Sequence, residues 1–190
     1  TTAASIVKNL PLRKLSDGSE RPRRVLMVLS KGCELNVRNA IGALQHFQCQ
    51  PEPRALIDVL EADGTDRMIE VHRKVSGATG VGESVRDASR LVDGDGDDAT
   101  NDEGYLYVTG EDSVRGLHLD NLDTVICVGR PRGPDEYTHI AGRTGRAGNK
   151  GTVINVVGYE QANALTSWES MLDVSFYPLE EDEVSELSDR

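Results

Sequence analysis

The residues best suited to chemistry lie in one short run, His139-Ile140-Ala141-Gly142-Arg143-Thr144-Gly145-Arg146-Ala147-Gly148. Arg143 and Arg146 stand three apart, so near a helix end they project to a similar side. A guanidinium stays charged at neutral pH and makes two parallel hydrogen bonds to phosphate oxygens. The neighbouring glycines leave the backbone bare enough for close approach. Such a pair suits stabilisation of charge on a transferring phosphoryl group. The spacing alone is weak evidence, because most such pairs are solvated surface charge.

Other candidate groups carry less. Asp93-Gly94-Asp95-Gly96-Asp97 starts like a calcium loop, but positions six and twelve hold Asp98 and Gly104, where an EF-hand needs Gly and Glu. A flexible acidic loop is the better reading. His46, His72, His118 and His139 have no metal or triad spacing. Cys33, Cys49 and Cys127 form no C-x-x-C pair, which disfavours zinc and fits a reducing compartment inside the cell. Trp168 and Tyr159 are read as packing residues of the last helix.

The elements that must position the arginines follow from the apolar pattern. Residues 25–29 form a continuous apolar run, the mark of a strand buried on both faces of a parallel sheet. Strands are also expected at 55–60, 105–108, 124–128 and 152–157. Helices are expected at 34–47, 68–77 and 159–172. Another opens at Pro134-Asp135-Glu136 and ends near Gly145, so it delivers the arginine run. Strands alternating with helices predict an α/β domain with a parallel sheet.

The chain has 190 residues, enough for one domain with a substantial core. No apolar run approaches the roughly 18–20 residues of a membrane span, so no membrane partner is expected. The net charge of -11 argues against a simple nucleic-acid binder. That charge resides in residues 93–104 and 179–190, both read as solvated, and the remaining body is neutral with basic clusters.

In this setting the arginine run resembles motif VI of the DEAD-box helicases, H-R-x-G-R-x-x-R. Upstream, Val108-Thr109-Gly110-Glu111-Asp112-Ser113-Val114-Arg115-Gly116-Leu117-His118 resembles motif V, T-D-x-x-x-R-G-x-D. Residues 25–30 stand in the place of motif IV. Val125-Ile126, Pro131, Tyr137 and Gly151-Thr152-Val153-Ile154-Asn155 match the run between and after these motifs. The dense match covers about residues 105–157. The resemblance implies a C-terminal RecA-like domain, a three-layer α/β sandwich with a mostly parallel central sheet. Residues 1–23 are then a lead-in or linker, 24–175 the domain with an acidic insertion loop at 78–104, and 176–190 an acidic tail.

The resemblance also implies a function. In this family two RecA-like domains close around ATP and single-stranded RNA. The first, expected upstream, supplies a P-loop and the D-E-A-D acid and holds most of the ATP with Mg2+. Neither string occurs in this sequence, so the chain alone is expected to be inactive. Arg143 and Arg146 map to arginine fingers. Arg115, Gly116, His118, His139 and Gly142 map to the ATP-binding and interdomain surface, and Arg67, Thr109 and Gly110 to RNA contacts. The expected partners are RNA, the first domain and ribonucleoprotein assembly factors. The alternative is a catalytically degenerate scaffold. Several positions depart from the pattern: His118 replaces an Asp, Gly110 a Thr, Ile140 the first Arg of motif VI and Val28 an aromatic residue, while the Q-x-x-R element keeps only Arg67.

Overall fold

The computed structural model describes residues 2–14, 18–62, 104–114, 119, 122–145 and 150–187. Its main sheet has five strands, β3 (Arg24–Leu29), β4 (Pro53–Ala55), β5 (Tyr105–Gly110), β6 (Thr124–Val128) and β7 (Thr152–Val156). They are ordered β4-β5-β3-β6-β7 and every pairing is parallel. A separate antiparallel ribbon joins β1 (Arg13–Lys14) to β2 (Glu20–Arg21).

The apolar run in β3 is explained by burial on both faces. Val25, Met27 and Leu29 point into a cluster with Ala4, Ile6, Val7, Ala40, Leu44 and Val184. Leu26 and Val28 point the other way, onto Leu56, Val114, Leu119, Leu122 and Ile140. Helices therefore cover both faces, giving the expected three-layer RecA-like α/β sandwich. Cys127 lies in the second cluster. Burial, reinforced by Glu111 and then Cys33, pushes its thiol up to about 12, so it remains protonated packing matter.

Helix α1 (Thr2–Asn9) buries Ala4, Ile6 and Val7 in the first cluster. Helix α2 (Val37–His46) starts later than the apolar pattern suggests, because Asn36 caps it, its side chain accepting from the Asn39 N–H at 2.8 Å. The expected strand at 55–60 is a correction. Only Ala55 belongs to β4, and Leu56–Ala62 forms helix α3. A short apolar run does not distinguish a buried strand from a buried helical turn.

Helix α4 (Pro134–Ala141) has its proline at the first helical position and buries Tyr137 and Ile140. The single helix expected at 159–172 is two, α5 (Tyr159–Thr166) and α6 (Glu169–Leu172). The Thr166 and Ser167 hydroxyls donate back to the carbonyls of Ala162 and Ala164, which favours a bend. Trp168 then turns inward against Tyr137 and Leu165, but Tyr159 is 83% exposed, contrary to its reading as a packing residue. The tail differs from its reading as purely solvated. A 3-10 helix at Glu181–Glu186 buries Val184 against the cluster that contains α1. The expected helix at 68–77 and nearly all of the insertion at 78–104 lie outside the described residues.

Candidate functional site

The sheet has two chemically distinct ends. Where the strands begin, α4 returns the chain and delivers His139, Gly142, Arg143 and Thr144. Its first turn carries Asp135 and Glu136, favourable at the positive end of the helix dipole. His139 is exposed on α4 and Gly142 forms the C-cap. Arg143 is buried, and its Nε donates to the His139 carbonyl at 3.0 Å. The Thr144 hydroxyl donates to the Leu122 carbonyl at 2.5 Å, with the Asp123 carbonyl 3.2 Å away. The arginine loop is thus pinned to the residues that open β6.

The loop is also pressed against the start of β7. A Cβ on Gly151 would collide with the Thr144 side chain and the Gly145 backbone nitrogen. Gly145 itself has φ +69, a conformation that glycine adopts without penalty. Glycine at both places lets the loop lie flat on the sheet.

Beneath this loop lies a nearly buried ionic cluster. Asp123 accepts from Arg21 in a fork, at 2.8 Å and 3.2 Å, and from the Arg24 backbone N–H at 2.8 Å. The Arg13 Nε stands 3.5 Å from the same carboxylate. Arg23 adds two bonds, from Nε to the Pro11 carbonyl at 2.7 Å and from Nη1 to the Thr124 hydroxyl at 3.3 Å. Burial lowers the Arg23 pKa, opposed by Asp123 and assisted by Arg13 and Arg21. The sequence groups Arg21, Arg23 and Arg24 as a basic cluster but gives no sign of Asp123 as its counter-charge, since the residues stand about a hundred positions apart.

At the other end, where the strands finish, β5 presents Thr109 and Gly110. Thr109 is buried within the sheet. Gly110 has φ -89 and ψ 158, ordinary extended backbone, and a Cβ there would meet nothing within 4 Å. Glu111 follows, buried, and its carboxylate accepts from the backbone N–H groups of Lys31 at 2.7 Å and Arg132 at 3.1 Å. It ties together the loops that leave β3, β5 and β6. Lys31 and Asp112 pair at the surface at 2.5 Å, and Arg130 lies over the Trp168 ring at 5.5 Å.

The structure therefore brings His139, Gly142 and Arg143 together at one end and Thr109 with Gly110 at the other. Ile140, in place of the first arginine of motif VI, is 1% exposed and packs in the second apolar cluster. Arg67, Arg115, Gly116, His118 and Arg146 lie outside the described residues. Among the described residues no group of His, Cys, Asp and Glu side chains is arranged to hold a metal ion, and no helix is long and apolar enough to cross a membrane.

Residues 113–148 match the helicase conserved C-terminal domain. Over 80 residues the chain is 32% identical to the ATP-dependent RNA helicase DBP8 of Pyricularia oryzae, covering 42% of this chain and 14% of that protein. It is 34% identical over 74 residues to DEAD-box ATP-dependent RNA helicase 9 of Oryza sativa subsp. japonica, covering 39% and 12%. It is 37% identical over 67 residues to the ATP-dependent RNA helicase RhlB of Pseudomonas syringae pv. tomato, covering 35% and 17%. The chain thus spans less than a fifth of these relatives. Among solved structures, the E. coli DEAD-box protein SrmB bound to the regulator of ribonuclease activity A aligns with a TM-score of 0.41 at 20% identity, covering 85% of this chain and 92% of that one. With the arginine run, the motif V run and the parallel sheet in their expected order, the chain carries a C-terminal RecA-like domain of the DEAD-box helicase family.

Proposed function

We propose that this chain is the second RecA-like half of an ATP-dependent RNA helicase or RNA chaperone. Arg143 and Arg146 then act as arginine fingers on ATP and Mg2+ held mainly by a preceding first domain. The observation that carries the reading is the seating of the arginine loop: Thr144 is bonded at the start of β6 and Gly151 leaves no room beneath it. A loop fixed before the reaction suits stabilisation of charge that develops only in the transition state. His139 and Gly142 share the same end and belong to the proposed interdomain surface, with Arg115, Gly116 and His118 assigned there from motif V. Thr109, Gly110 and Arg67 are assigned to RNA.

The purified 190-residue chain should hydrolyse no ATP above the background rate, whereas the full-length protein should do so with stimulation by single-stranded RNA. Turnover by the isolated chain, or none by the full-length protein, defeats the reading. An intracellular reducing compartment and ribonucleoprotein assembly factors as partners belong to the same proposal.

A degenerate scaffold is the second reading, and two observations favour it. Ile140 has become core, and Gly110 offers no hydroxyl to an RNA backbone. Gly110→Thr tests what was lost. The open space and extended backbone accept the side chain, so folding should be unaffected. Single-stranded RNA should bind the full-length variant more tightly by about three- to tenfold, on the order of one hydrogen bond of ~1 kcal/mol. An unchanged Kd removes the end of β5 from the RNA surface.

A further inference from the structure

The arm described at residues 10–14 and 18–23 ends against the residues that seat the arginine loop, and nothing in the motif pattern assigns it a role. Asp123 is where the segments meet. Its carboxylate takes the fork of Arg21, the Arg24 backbone N–H and, more distantly, Arg13. Its own backbone N–H donates to the Arg24 carbonyl at 3.0 Å, and its carbonyl accepts from the Thr152 N–H at 2.9 Å. That same carbonyl and the one before it face the Thr144 hydroxyl. One residue therefore joins the arm, the starts of β3, β6 and β7, and the arginine loop.

We propose that Arg21 and Asp123 are positioning residues for Arg143: the forked pair holds the carbonyls of Leu122 and Asp123, and these hold Thr144 and the backbone that bears Arg143. The inference rests on the reading of Arg143 as a finger. A buried ion pair is a poor choice for stability alone, since apolar residues of equal volume do as well or better. Its advantage is direction. A two-point fork fixes the carboxylate plane, which a single bond does not. Arg23 reinforces the arrangement one residue further along, bonding the arm at Pro11 and β6 at Thr124. Small displacements of a group aimed at a reacting phosphate are costly, on the order of a hundredfold for 1 Å.

The test is ATP turnover by the full-length protein at saturating RNA, read as kcat and KM alongside thermal unfolding. Arg21→Gln should lower kcat by about ten- to a hundredfold and change KM for ATP by less than about twofold, at a temperature where the variant is folded. Arg21→Lys, which keeps the charge but not the fork, should recover part of the loss. Thr144→Val cuts the link without touching the ion pair and should reproduce the fall in kcat. Arg143→Ala is run in parallel. Wild-type kcat in Arg21→Gln beside an inactive Arg143→Ala overturns the positioning role and leaves the finger intact. A normal rate per folded molecule overturns it too, since the arm then only stabilises. Should Arg21→Gln fail to fold, an unchanged kcat in Thr144→Val overturns the positioning role in its place. Full activity in Arg143→Ala defeats the finger itself, and the inference with it.

Discussion

Arg143→Ala in the full-length protein is expected to lower ATP turnover by about three to five orders of magnitude, the range by which arginine fingers accelerate phosphoryl transfer. The size of the effect comes from where the charge develops. A guanidinium aimed at the transferring group stabilises the transition state more than bound ATP, so kcat should fall and KM should change little. The structural cost is measured separately. Arg143 is buried and its Nε donates to the His139 carbonyl; losing that one bond costs about 1 kcal/mol. Single-turnover hydrolysis together with a thermal melt separates the two. Arg143→Lys should recover little, because an ammonium does not reproduce the planar fork. A rate within tenfold of wild type in the alanine variant would remove Arg143 from the chemistry.

The largest loss of stability should come from Asp123→Ala. Arg21 and Asp123 are nearly buried, with side chains 7% and 6% exposed. Removing the carboxylate leaves the nearly buried Arg21 guanidinium without its counter-charge, though its Nη1 still donates to the Pro22 carbonyl at 3.0 Å, with Arg13 and Arg23 beside it. Breaking a buried pair from one side costs about 3–5 kcal/mol. The Arg24 backbone N–H also loses its acceptor. Urea unfolding of this chain should show a lower midpoint with an unchanged slope. The double variant Arg21→Met, Asp123→Leu should recover part of the loss: apolar residues replace the forked pair at little cost, but the Arg24 N–H, Arg13 and Arg23 still lose the carboxylate. If Asp123→Ala alone costs less than about 1 kcal/mol, water or another acceptor serves Arg21.

The fold was largely legible because β3 and β6 are apolar on both faces, the pattern of strands covered on both sides of a parallel sheet. The helix bearing the arginines announced itself through Pro134, Asp135 and Glu136. What failed were places where local pattern is ambiguous. Residues 55–60 are apolar enough for either structure, and tertiary packing made most of them helical. Val184 sits among acids, and its burial depends on α1 from the opposite end of the chain. At the site, the motifs located Arg143 but not what holds it. Asp123 and Thr144 act through contacts with residues about 20 and 100 positions away, and spacing along a chain carries no record of that. The burial of Ile140 was likewise invisible, though its departure from the motif was not.

The placement of the two groups at opposite ends of the sheet has a mechanical consequence. β3 spans six residues, about 17 Å at roughly 3.3 Å per residue, and its interior is close-packed on both faces. Such a slab has low compressibility and transmits strain. It behaves as a lever. Were the sheet to tilt as one body by about 5°, its far end would move by about 1.5 Å over that length. That displacement is large enough to bring an arginine into or out of range of a phosphate.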